Sequence, residues 1–375
     1  MRDLGVTPGV VAPGPLNAIT DVAGVLVGHR TVIEGDAVRT GVTAILPHGG
    51  NLFREKVPAA VWVGNGFGKA AGFLQVRELG TIETPIVLTN TLSVATAVDA
   101  VVGWTLAQPG NEEVRSVNAV VGETNDGWLN DIRGRHVTAA HVREALAAAR
   151  PGPVTEGSVG AGTGTRALGW KGGIGTASRE LPPALGGWTV GALVQTNFGG
   201  VLSIDGVPVG EALGNHAFRA ELQDASADAS PGPAQGAHRG DGSVMIVLAT
   251  DAPLSTRDLE RLAARAVLAL GRVGSFMSHG SGDFVIAFST ANRRPHAPAE
   301  PVLAVRELTG DALSPLFLAT VEAVEEAIYN SLLAATTVTG RDGHTSEAIP
   351  LAPLRRLLAR YRPGAEALGA GAVRP

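Results

Sequence analysis

Cysteine is absent from this 375-residue chain. Disulfides, a thiol nucleophile and thiolate metal sites are therefore excluded. Lysine is scarce: it stands only at positions 56, 69 and 171, and arginine supplies the rest of the 30 basic residues. Lysine-based chemistry thus has three candidates. Aromatic residues make up 4%, so the core has to be built from Val, Leu, Ile and Ala. No stretch reaches the roughly 18 uninterrupted apolar residues of a membrane span. The opening MRDLGVTPGVVAPG carries no apolar run of the signal-peptide kind. A formal net charge of −5 offers no general basic field for nucleic acid or an anionic membrane. The expectation is a cytoplasmic protein with no nucleic-acid or membrane partner and no cofactor. The nine histidines contain no HExxH-type pair, so no metal is expected. No G-x-S-x-G elbow marks an α/β-hydrolase serine.

What is present is 45% hydrophobic, 17% charged and rich in glycine, with 50 residues. That describes a globular chain whose elements pack closely. Short apolar runs bounded by turn residues predict strands within 18–32, 41–50, 59–66, 84–91, 188–199 and 279–290. Helical spacing predicts helices over 67–80, 92–110 and 136–150. Ser255 and Asp258 form a capping box for a further helix, with Leu259, Leu262, Ala263, Ala266, Val267 and Leu270 on one face and Gly271 closing it. Ser314-Pro315 starts a long helix with Phe317, Val321, Val324, Ile328 and Leu332 on its buried side. A last helix spans 354–361. Strands and helices come in runs, without strict β–α alternation. That predicts layered sheets flanked by helices.

One junction stands out. QDASADASPGPAQGAHRGDG, residues 223–242, is too polar and too rich in Gly, Pro, Ser and Ala to order itself by burial. It runs directly into SVMIVLAT, residues 243–250, a continuous apolar run that reads as a strand buried on both faces. Gly242 and Ser243 form the seam. Taken alone, it reads first as the ordinary entry of a loop into a strand. Cleavage of the Gly242–Ser243 bond, however, would produce a chain whose first residue carries both a hydroxyl and an α-amine. An α-amine titrates near ~7.7–8.0, so it can take the hydroxyl proton without a histidine.

Other motifs carry less. GNGFGK, 64–69, lacks the spacing of a phosphate loop, and Ala70 follows where Ser or Thr is required. GAGTG, 160–164, misses the dinucleotide fingerprint. Both read better as glycines that permit close approach of packed elements. In GSGD, 280–283, Ser281 and Asp283 are two apart at the start of a strand and share a face. Together they suit the holding of an amine by charge-assisted hydrogen bonds.

GETNDGWLND (122–131), GNGFGK followed by ELG, IETPI and LTNTLS, then QTNFG, GDGSV, SHGSGDF and NSLLAATTVTGRDGH occur in order along nearly the whole chain. Together they resemble the L-aminopeptidase/D-esterase family, with its β-aminopeptidase relatives. The resemblance implies an α+β fold, a four-layer αββα sandwich like that of the N-terminal-nucleophile hydrolases but with different strand connectivity. It implies a single domain over 1–375 that cuts itself into an α chain, 1–242, and a β chain, 243–375. It implies a serine aminopeptidase or amidase acting on small peptides, amides or esters through an acyl-enzyme on Ser243, assembled as a homo-oligomer of αβ units. Residue by residue, Ser243 matches the nucleophile, Ser281 the second serine and Asn197 the oxyanion donor. Asp283 stands where many members have Glu. Trp128 stands where relatives carry a Tyr, and an indole donates a hydrogen bond but accepts none. Two other readings fit the scaffold: an acyltransferase of the ornithine acetyltransferase kind, which normally uses Thr, and a non-catalytic ligand-binding protein.

Overall fold

The structure is a computed structural model that describes residues 1–223 and 242–361. Of the expected linker, residues 224–241 lie outside the described residues. The main strands are β1 (Leu26–Glu34), β2 (Val38–Leu46), β3 (Glu55–Gly66), β4 (Ile86–Asn90), β5 (Val120–Thr124), β6 (Ile174–Glu180), β7 (Thr189–Asn197), β8 (Ser243–Thr250) and β9 (Gly282–Ser289). The main helices are α1 (Phe73–Leu79), α2 (Val94–Leu106), α3 (Ala139–Ala147), α4 (Thr256–Arg272), α5 (Leu313–Leu333) and α6 (Leu351–Tyr361).

Two sheets stack face to face. The first runs β1-β2-β4-β5 and the second β3-β9-β8-β7-β6, with two-residue additions along β3. The pairs β8–β9 and β4–β5 are parallel; the other neighbours are antiparallel. Ile45, Leu88 and Val120 of the first sheet meet Leu193, Met245, Val247 and Ile286 of the second in a shared core. Helices α2 and α3 cover the outer face of the first sheet, burying Val42, Val87, Ala97, Val101 and Val142. Helices α4 and α5 cover the outer face of the second. The result is a set of layered sheets flanked by helices, as the element pattern predicts, in the αββα order that the family resemblance implies.

Strand β8 shows why this order follows from sequence. Met245, Val247 and Ala249 point between the sheets, while Val244, Ile246 and Leu248 point to the helices. A strand with both faces covered has no place for polar alternation, and the run SVMIVLAT has none after its serine.

Some boundaries differ from the sequence expectation. Helix α1 begins at Phe73, not 67, because residues 67–72 cross the end of the second sheet; a Cβ on Gly68 would lie 2.6 Å from the Phe284 ring. Gly271 does not close α4. The helix continues to Arg272, and Gly274 takes the left-handed conformation at φ 96°. Phe317 and Val321 are only half-buried on α5, whereas Leu316, Ala319, Thr320 and Ala323 are buried. The reason is a third neighbour: the N-terminal segment packs on α5 as well. Arg2 pairs with Glu326 at 2.8 Å, and Arg179 of β6 reaches Glu326 at 2.8 Å and Glu322 at 3.3 Å. The carboxylate face of α5 is thereby internal, a feature that apolar spacing does not report.

Candidate active site

Ser243 opens β8, the middle strand of the second sheet. Its cross-strand partner on β7 is Asn197, and its partner on β9 is Gly282. The Gly282 N–H donates to Ser243 Oγ and to the Gly242 carbonyl oxygen, 3.2 Å in each case. A single backbone donor therefore touches both the hydroxyl and the carbonyl of the seam. Gly242 is confined: a Cβ there would lie 2.0 Å from the Asn197 carbonyl oxygen. Backbone on backbone cannot yield as a flexible side chain would, so only glycine fits.

The Asn197 amide is held at both ends. Its Oδ1 accepts the Arg166 N–H at 3.0 Å, and its Nδ2 donates to the Asn125 carbonyl at 2.9 Å. These two partners fix which end is nitrogen and leave the second Nδ2 hydrogen to point elsewhere. Asn125 belongs to the GETNDGWLND loop and Arg166 to the hairpin Thr165–Gly172, so two distant segments converge on one side chain.

Ser281 and Asp283 flank Gly282. As their spacing predicts, they meet: Ser281 Oγ donates to Asp283 Oδ1 at 2.7 Å. Asp283 Oδ2 is buried without a partner. Burial pushes the Asp283 carboxyl up to about 6, against the pull of the Ser281 hydrogen bond. The turn that carries this pair is pinned by Asn65, whose Nδ2 donates to the carbonyls of Ser278, His279 and Ser281.

Trp128 lies on the same loop as Asn125. The His344 ring stacks on it with centroids 3.9 Å apart and planes 4° from parallel. His344 Nδ1 bonds the Trp128 carbonyl at 2.9 Å, so that nitrogen carries the proton. The Arg166 guanidinium lies 4.8 Å from the indole centroid. The indole N–H is buried and has no partner. His344 ends the GRDGH motif, so that part of the sequence pattern closes on the candidate site.

Beneath these residues lie two buried groups that the sequence did not single out for the site. The Asp126 carboxyl is pushed up to about 7 by burial, opposed by hydrogen bonds from Thr40, Asn130 and Asn90. The Lys171 amine is pushed down to about 7 by burial, with Asp126 drawing it back up. The glycine-rich stretches take the structural role expected of them. Gly162 and Gly164 would meet backbone at 2.5 Å and 2.1 Å if they carried a Cβ, and Glu123 accepts the Lys69 N–H at 2.9 Å. Among the described residues, no group of three His, Cys, Asp or Glu side chains is arranged to hold a metal ion, and no helix is long and apolar enough to cross a membrane.

Four layers, with a serine at the head of the central strand, define a class: hydrolases built on a variant of the N-terminal-nucleophile fold. Known proteins agree. The model for peptidase family S58 matches residues 17–346. A beta-peptidyl aminopeptidase, BapA of Sphingosinicella microcystinivorans, is 44% identical over 96% of this chain and 92% of its own. The solved PH0078 protein of Pyrococcus horikoshii OT3 is 48% identical, with TM-score 0.86 over 96% of this chain and 98% of its own. The L-aminopeptidase D-Ala-esterase/amidase of Ochrobactrum anthropi is 40% identical, with TM-score 0.86 over the same shares. It is described as a prototype serine aminopeptidase and a new variant of the Ntn hydrolase fold. The chain belongs to peptidase family S58.

Proposed function

We propose that the protein is a self-processing serine aminopeptidase with Ser243 as its nucleophile. The observation that carries this reading is the seam itself. The Ser243 hydroxyl and the Gly242 carbonyl share one hydrogen-bond donor, Gly282 N–H, at the mouth of the central strand.

In maturation, Ser243 Oγ attacks the Gly242 carbonyl carbon. The negative charge moves to the Gly242 oxygen, where Gly282 N–H already points. The C–N bond breaks as the Ser243 nitrogen takes the hydroxyl proton, leaving an ester. Water cleaves that ester, giving a Gly242 carboxylate and a free Ser243 amine. In the mature enzyme this amine, of ordinary pKa ~7.7–8.0, removes the Ser243 hydroxyl proton as Oγ attacks the substrate carbonyl. It then returns the proton to the leaving amine. The free Asn197 Nδ2 hydrogen and Gly282 N–H hold the oxyanion. We assign the unpartnered Trp128 indole N–H, on the loop that holds Asn197 through Asn125, as a third donor for this role. Water releases the acyl group and regenerates Ser243. The open Asp283 oxygen holds an ammonium, supported by Ser281.

The substrates we infer are short peptides, amides and esters with a free N-terminal amine. The aminopeptidase names of the relatives favour this over acyl transfer to ornithine or a purely binding role. We place β-linked N-terminal residues among them on the BapA likeness, and αβ units in a homo-oligomer on the family resemblance. Intact mass spectrometry tests the core claim. The wild type should give a fragment beginning at Ser243, and Ser243→Ala should remain one chain of 38.2 kDa without hydrolysing an alanyl anilide. Cleavage or hydrolysis persisting in Ser243→Ala would overturn it.

A further inference from the structure

We propose that Lys171 is a positioning residue for the Asn197 amide, and that it acts by tying together the base of the hairpin that holds it. This inference rests on the reading of Ser243 and Asn197 given above.

Lys171 is fully buried. Its Nζ donates to the Gly162 carbonyl at 2.9 Å and to the Gly172 carbonyl at 2.7 Å. No carboxylate lies within ion-pair distance of it among the described residues. Burying an amine without a close counter-ion is costly, and an apolar side chain of similar length would fill the same space without that cost. The two carbonyls show what the amine does there. Gly162 lies on the segment entering the Thr165–Gly172 hairpin, and Gly172 ends it, where its N–H closes the hairpin on the Thr165 carbonyl at 3.2 Å. The amine therefore bridges the strands where they separate.

That hairpin runs beside the end of β7. Arg166 N–H holds Asn197 Oδ1 at 3.0 Å, and Leu168 N–H bonds the Phe198 carbonyl at 2.7 Å. The opposite support of Asn197, the Asn125 carbonyl, is fixed through the next residue. Asp126 is buried, accepts Asn130 Nδ2 at 2.9 Å, and packs on Gly164, whose missing Cβ would lie 2.9 Å from the Asp126 Cβ. Both walls of the Asn197 slot thus meet at the layer that contains Lys171. An oxyanion donor is effective only when it is aimed before the charge develops, and losing the bridge lets the hairpin backbone shift and, with the Arg166 N–H, re-aim the amide.

A double-mutant cycle decides the matter. Lys171→Met, Asn197→Ala and the double variant are compared in mature enzyme on an alanyl p-nitroanilide. Lys171→Met should lower kcat about tenfold or more with KM nearly unchanged and a melting temperature at or above wild type. In the Asn197→Ala background it should have no further effect. Lys171→Gln, whose amide supplies two N–H groups, should recover part of kcat. An unchanged kcat, an equal loss in both backgrounds, or a Met variant that fails to fold would each overturn the proposal. The last outcome would mean that the fold at large needs Lys171. Failure of the Ser243 reading shows separately, as hydrolysis that survives Ser243→Ala.

Discussion

Asn197 and Ser243 are the last pair of the antiparallel ladder between β7 and β8. The ladder's hydrogen bonds set the spacing of the two residues, and the Arg166 and Asn125 backbones set the angle of the amide. The proposed nucleophile and the proposed oxyanion donor are thereby fixed to each other by regular secondary structure. Asn197→Ala should lower kcat by about 10²–10³, the usual loss for one oxyanion donor, with a smaller change in KM. Steady-state kinetics on an alanyl anilide check this.

In the proposed mechanism Trp128 is the second side-chain donor. Trp128→Phe keeps a ring for His344 to stack on but removes the N–H. It should lower kcat by about 10-fold to 10²-fold while leaving the melting temperature near that of the wild type. An unchanged kcat would assign the indole to packing alone.

Gly242 should tolerate no side chain. Because a Cβ would collide with the Asn197 carbonyl oxygen, Gly242→Ala has to displace either the seam or β7. Processing should slow strongly, seen as full-length chain persisting by mass over a time course in which the wild type is cut.

Asp283 makes the uncut precursor sensitive to pH. Its folded-state pKa is raised to about 6 by burial, above the ordinary carboxyl value near 3.9. Between those values the folded state binds more protons than the unfolded state, so stability falls as pH rises from about 4 to about 6 and then levels. In a Ser243→Ala background, expected to stay uncut, adding Asp283→Asn should remove this loss. The double variant should melt higher at pH 7 and no higher at pH 4, as thermal melts across that range would show.

Arg179 ties the two halves of the sequence together. It is fully buried between Glu322 and Glu326 of α5, on the far side of the seam from its own strand. Arg179→Met leaves both carboxylates buried without it and should cost about 3–5 kcal/mol. Denaturant unfolding measures the loss, and in processed protein the two chains should separate at lower denaturant.

Much of this protein is legible in its residues. The doubly covered run after Ser243, the N-cap at Ser255 and the paired spacing of Ser281 and Asp283 each report local geometry, and local geometry is what periodicity and capping encode. At Ser255 the hydroxyl accepts the Asp258 N–H and donates to the Asp258 carboxylate, without the reciprocal bond of a capping box. That sheets are layered and covered by helices followed as well, because apolar faces of known period must find cover; the four-layer order itself came from the family resemblance. Lys171, Asp126 and His344 were not legible as parts of the site. A lone lysine in a glycine-rich stretch has no pattern that distinguishes a surface amine from a buried bridge. Nor does a backbone N–H such as that of Gly282 leave a trace in a side-chain alphabet.

By itself the sequence determined the apolar strand that Ser243 heads and pointed to the seam where we propose the chain is cut, since these depend on neighbours a few positions apart. The tertiary structure alone decided that Asn125, Arg166, Asn197, Gly282 and Ser243 meet. Convergence of that kind comes from sheet register and loop packing between residues far apart in the chain, and no short-range pattern specifies it.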